Sequence, residues 1–127
     1  MANFAFITDT ISTRILDSAS NTYSVGYRTM PQSTTSSGNI QLNDSGKHLY
    51  LTGSVTIANN ATVPFDVGTV LTIISNSSSV TVTQGTGVTI RLANTSSTGS
   101  RTISSNGVAT LVKVDTDLWY INGTGVT

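Results

Sequence analysis

The sequence predicts an all-β protein: an antiparallel β-sandwich of jelly-roll-like build with an extended N-terminal arm. Three observations carry that expectation. Glu is absent and Lys occurs only twice, so the residues from which exposed helices are usually built are scarce. Ser and Thr supply 41 of the 127 residues, yet apolar residues still make up 37%. They fall in short alternating runs, the pattern of strands with one face buried rather than of a disordered chain. The runs recur at intervals of roughly 8 to 12 residues between polar turns, the signature of a sandwich or barrel.

Residues 62–76, TVPFDVGTVLTIISN, anchor this reading. Val63, Phe65 and Val67 alternate, Gly68 permits a bend, and residues 70–74 form a nearly continuous apolar run. Bounded by Gly68 and by Asn76-Ser77-Ser78, such a run suits a strand buried on both faces. Pro64 and the β-branched residues disfavour a helix.

Two segments follow from the punctuation: residues 1–38 as arm and polar hinge, and residues 39–127 as the sandwich. Phe4, Phe6 and Ile7 form an apolar tip. Ile11 and Ile15 stand four apart, which allows two helical turns over residues 10–17, marginal on their own. Pro31 keeps Met30 extended, and QSTTSSG at 32–38 reads as the hinge. Beyond it, Ile40 and Leu42 alternate before a turn at Asn43-Asp44-Ser45-Gly46. Strands are expected at KHLYL (47–51), SVTIA (54–58), SVTVT (79–83), 88–92, 101–103, ATLVKV (109–114) and LWYIN (118–122). Asp115-Thr116-Asp117 makes the last hairpin turn. The expected core holds Leu42, Leu49, Val55, Ile57, Phe65, Val70, Ile73, Val82, Ile90, Leu111 and Ile121. Three Val-Thr pieces begin at Val55, Val80 and Val88; their unequal spacing reads as strand composition rather than as a repeat.

Composition also limits the function classes. Six basic residues balance six acidic ones, all Asp, and this neutrality argues against nucleic acid or an anionic membrane as partner. Charged residues are 9% of the chain, against roughly a quarter in an ordinary soluble domain. The surface is therefore covered by small polar residues or by another protein. Without Cys there is no disulfide and no thiolate metal site. No secretory signal opens the chain and no run reaches a transmembrane length, so a product that is soluble, or that is assembled directly from the cytoplasm, is expected.

The residues that could carry chemistry read more simply as structure. His48 is the only histidine and has too few companions for a zinc centre or a catalytic pair. Asp115 and Asp117 lie two apart, as in a calcium loop, but Leu118 and Trp119 follow where further oxygen ligands are needed. Gly85-Thr86-Gly87 and Gly123-Thr124-Gly125 lack the helix and Lys of a phosphate cradle. Trp119 and Tyr120 point to opposite faces of one strand. The outward ring could stack on a sugar or pack on a neighbouring subunit, and charge depletion favours the subunit. No cofactor is expected and nothing supports an enzyme. A glycan hydrolase needs a carboxylate pair across a cleft, and the only close pair lies in a turn.

The order of motifs carries a resemblance. VGYRTMPQ (25–32), LNDSGKHLY (42–50), TIANNATVPFDVGTVLTIIS (56–75), GVTI (87–90) and ATLVKVDTDLWYING (109–123) together resemble a small β-module of bacteriophage virion proteins. The match spans roughly residues 25 to 125, with Ala58 where the module usually has a proline. The family has no catalytic residues to transfer. The resemblance implies a non-enzymatic virion structural protein. A module that is nearly the whole chain fits a capsid decoration (cement) protein on the particle exterior, bridging neighbouring major capsid subunits. The alternative is a tail or head-fibre adhesin that contacts the host surface. A homotrimer is expected from the three-fold positions of icosahedral shells. The expected partner-binding residues are Phe4, Phe6 and Ile7 for apolar contact, with Arg14, Asp17 and Arg28 setting register.

Overall fold

The computed structural model describes residues 5–8, 13–16, 18–24 and 29–127, with the backbone alone for the strands before residue 25. The chain divides into two compact units, Met1–Pro31 and Gln32–Thr127.

In the first unit β1 (Ala5–Thr8), β2 (Thr13–Leu16) and β3 (Thr22–Ser24) form an antiparallel sheet in that order. Phe6 lies opposite Ile15, and Ile15 opposite Tyr23. A three-stranded meander thus stands where the sequence suggested an extended arm. The helical turns expected over residues 10–17 give way to strand at Thr13–Leu16. Eight residues cannot hold an isolated helix, and β-branched Thr13 and Ile15 suit strand pairing. Of the expected contact residues, Phe6 and Ile7 fall on β1 and Arg14 on β2. Phe4, Asp17 and Arg28 lie outside the described residues.

The second unit is built from β4 (Gly38–Asn39), a single 3-10 turn (Leu42–Asp44), β5 (His48–Leu51), β6 (Val55–Ile57), β7 (Val70–Ser75), β8 (Val80–Gln84), β9 (Thr89–Leu92), β10 (Arg101–Ile103), β11 (Val108–Asp115) and β12 (Leu118–Asn122). One sheet has the order β10-β8-β6-β4 and the other β5-β7-β11-β12-β9. All-β is therefore right, but the sheets are mixed, not antiparallel. From β4 to β11 successive strands alternate between the two sheets. A chain that runs out along one sheet and back along the other re-enters the first in its original direction. β4 with β6, β6 with β8, and β5 with β7 pair in this way, in parallel, the opposite sheet serving as the crossover that parallel pairs need, whereas β8 with β10, β7 with β11 and β11 with β12 are antiparallel. Strand β9 is also parallel to its neighbour β12. Two of the three Val-Thr pieces lie side by side, with Val55 opposite Val82 and Thr56 opposite Thr83.

Inward side chains of both sheets meet in one core: Leu49, Leu51, Leu71, Ile73, Ile90, Ala109, Leu111, Trp119 and Ile121 from the larger sheet, Val55, Ile57, Val80, Val82 and Ile103 from the smaller. The Phe65 ring stands edge-on to Trp119, with centroids 5.5 Å apart, a favoured aromatic geometry. Two expected core residues lie elsewhere. Leu42 sits on the 3-10 turn and is about half exposed, its place taken by fully buried Ile40. Val70 is exposed because the register of β7 turns Leu71, Ile73 and Ser75 inward. The run 70–74 is therefore buried on one face, not two.

Polar groups inside the unit tie its irregular segments down. Lys113 is buried, and its ammonium donates to the Phe65 carbonyl (2.6 Å) and to Asn60 Oδ1 (2.5 Å), holding the long loop before β7. Asp44 is buried and accepts from the Ser33 hydroxyl, the Thr35 hydroxyl (3.1 Å) and the Gln41 N–H (2.7 Å). With Thr52 N–H also donating to Ser36 O (2.9 Å), the segment read as a hinge at 32–38 is laced to the strands that follow it.

In the second unit three of the four sheet margins are covered. A parallel bridge joins Gln32 to His48 along β5, and an antiparallel one joins Arg91 to Thr98 along β9. The C-terminal residues run along β10, where Thr102 and Thr127 exchange N–H···O bonds (2.9 and 3.0 Å). The remaining margin, β4, is two residues long. Short or covered margins suppress pairing with other chains.

Candidate functional site

The alternation that fills the core leaves the outer face of the five-stranded sheet with a definite composition. Register sets Tyr50, Ile74 and Val108 across three strands, His48, Thr72 and Thr110 in the next row, and Val70, Val112, Tyr120 and Arg91 across four. Tyr50, Val70 and Val108 are exposed at 40%, 42% and 51%, and Val114, beside a register shift in β11, at 43%. These four are more than half of the exposed large apolar side chains among the described residues, so outward apolar surface is gathered on this face. Within the three rows Arg91 is the only side chain that is always charged. His48 is half-buried, with Nε2 3.3 Å from Gln32 Oε1.

At one end of this face lies an open cleft of about 410 Å³, lined by Thr89, Arg91 and Leu118 and by the turn residues Asp115, Thr116 and Asp117. The turn is stiffened by its own carboxylates. Asp115 Oδ1 accepts the Thr116 N–H (2.7 Å), and Asp117 Oδ1 accepts the N–H of Asn60 (2.7 Å). Arg91 is fixed from the sheet side, since its Nη1 donates to Tyr120 Oη (2.9 Å) and its Cζ stands 5.5 Å from the Tyr120 ring centroid. Among the described residues, no group of three or more His, Asp or Glu is placed to hold a metal ion.

The expected division of Trp119 and Tyr120 holds, with Trp119 in the core and Tyr120 half-buried on the outer face. Asp115 and Asp117 do share a turn, as expected, but the turn also walls the cleft. Arg91 escaped notice because its partner Tyr120 is 29 residues away in sequence. The one available signal was a charged residue at an outward position of a strand whose inward residue, Ile90, is apolar. No protein-family model matches the chain, and no curated protein matches it. Among the described residues, no helix is long and apolar enough to cross a membrane.

Proposed function

We propose that this chain is a non-enzymatic structural protein of a bacteriophage virion, a capsid decoration protein that bridges and stabilises neighbouring major capsid subunits on the particle exterior. The observation that carries the reading is the apolar outer face of the five-stranded sheet, on a chain with only 9% charged residues. In the second unit, covered margins at β5, β9 and β10 and a two-residue margin at β4 favour faces over hydrogen-bonding edges for attachment. The motif order of residues 25–125 supplies the virion context. The single core shared by both sheets supports the finer fold reading of a β-sandwich, while the parallel pairs depart from the antiparallel ladders of a jelly roll. A protein that binds only the assembled shell stabilises it by mass action.

Attachment in this reading uses the outer face, with Phe4, Phe6 and Ile7 as a second apolar contact and Arg14, Asp17 and Arg28 setting register. Val70→Lys combined with Val108→Lys alters only exposed positions, so the fold should persist while binding falls. Co-sedimentation of the full-length variant with particles stripped of the protein is expected to drop by about tenfold or more, as for the loss of central apolar contacts. Phe4→Ser with Phe6→Ser should weaken binding less. Wild-type binding by the double-Lys variant would remove the face from the proposal.

The unattached protein is expected to be a trimer, matching the three-fold positions of an icosahedral shell. Sedimentation equilibrium at micromolar concentration checks this, and a monomer would leave the shell contact without its symmetry. The tail or head-fibre adhesin is favoured by a different observation, the cleft at Arg91. Copy number in purified particles separates the two, since cement is abundant and fibres are scarce.

A further inference from the structure

We propose that the cleft between β9 and the β11–β12 turn binds a neutral saccharide, an activity beyond shell attachment and independent of it. The cleft holds unused hydrogen-bonding capacity. Asp115 and Asp117 each commit one carboxylate oxygen to a backbone N–H; the other makes no hydrogen bond among the described residues. Arg91 commits Nη1 to Tyr120. Arg91 makes no ion pair with either aspartate, although all three line one cleft.

Charge then selects the ligand. An anion drawn to Arg91 would meet two carboxylates, and a cation drawn to the carboxylates would meet a guanidinium. A sugar hydroxyl donates and accepts at once, so a neutral ring with adjacent hydroxyls can use the carboxylate oxygens and the guanidinium together. The Thr89 and Thr116 hydroxyls add capacity of both kinds, and Leu118 offers an apolar surface to ring C–H groups. The cleft volume, about 410 Å³, lies in the range of small-ligand sites, roughly 300–1,000 Å³. Tyr120 acts as a positioning residue, holding the guanidinium in place by stacking and by its hydroxyl.

Because the cleft is open, millimolar affinity is expected, which suits amide chemical-shift titration of the full-length ¹⁵N-labelled protein. Glucose, galactose and N-acetylglucosamine are the probes, with glycerol, methylammonium and acetate as controls. At least one sugar should produce saturable shifts at Thr89, Arg91, Thr116 and Asp117, while the controls leave those amides in place. Asp115→Asn keeps the acceptor for the Thr116 N–H but removes the charge, and Arg91→Met removes the donor. Each should weaken binding by about tenfold or more, the effect expected for a charge-assisted hydrogen bond. The proposal is overturned if no sugar moves these amides at tens of millimolar, or if glycerol moves them equally. Shifts with methylammonium or acetate but not with sugar would also overturn it, as would undiminished sugar binding by both variants in otherwise unchanged spectra. Shell binding is measured separately, so failure of one proposal leaves the other readable.

Discussion

An Ile73→Asp variant is expected to lose the cooperative thermal transition altogether. Ile73 is fully buried and lies on β7 between Leu49 and Ala109 of the flanking strands, both also enclosed. A carboxylate there has apolar neighbours and no designed donor, and burying an unpaired charge costs several kcal/mol even after relaxation. The whole stability of a domain is about 5–15 kcal/mol, so this one substitution competes with the fold itself. The next residue provides the control. Ile74 faces outward and is only half-buried, so Ile74→Asp should stay folded with a much smaller loss. Far-UV circular dichroism melts compare the two. A soluble Ile73→Asp protein with a cooperative melt would show that β7 does not sit where its register places it.

Trp119→Ala should be the most damaging truncation in the core. The indole is 1% exposed and meets the Phe65 ring edge-on, so its removal leaves a large cavity and loosens the loop that carries Phe65. Large aromatic truncations cost about 3–5 kcal/mol. With an m-value of about 1–3 kcal/mol/M, the urea midpoint should fall by at least about 1 M. Circular dichroism is the suitable probe because the only tryptophan is lost. The hydrogen bond from the Lys113 ammonium to the Phe65 carbonyl does not involve Trp119, so the expected damage is to packing. A midpoint shift of a few tenths molar would mean that the loop closes over the void.

What could be read from the sequence was the side each residue takes. Leu49, Val55, Ile57, Ile73, Val82, Ile90, Leu111 and Ile121 are all enclosed, because alternation reports the pleat directly. Strand direction was not readable. Alternation is identical in parallel and antiparallel ladders, so it leaves the direction of each strand open. Val70 was misjudged because an apolar run looks the same with one face covered as with two. Lys113 occupies the inward parity of Ala109 and Leu111, so its burial was implicit, but its acceptors come from a loop some fifty residues earlier. The cleft was invisible for the same reason: Arg91, Tyr120 and the Asp115–Asp117 turn converge only when β9 docks beside β12. The helical turns expected over residues 10–17 failed because a four-residue spacing of two isoleucines is weak beside their β-branching.

A particle surface or a growing cell concentrates identical copies until collisions are constant, and a β-rich chain with open ladders would then polymerise without limit. Here Gln32, Thr98 and the last three residues occupy the positions beside β5, β9 and β10 through which a fifth or sixth strand would enter. Strand addition at these three margins is thereby blocked within the second unit, which leaves only the two-residue margin strand β4 for a ladder to grow from there.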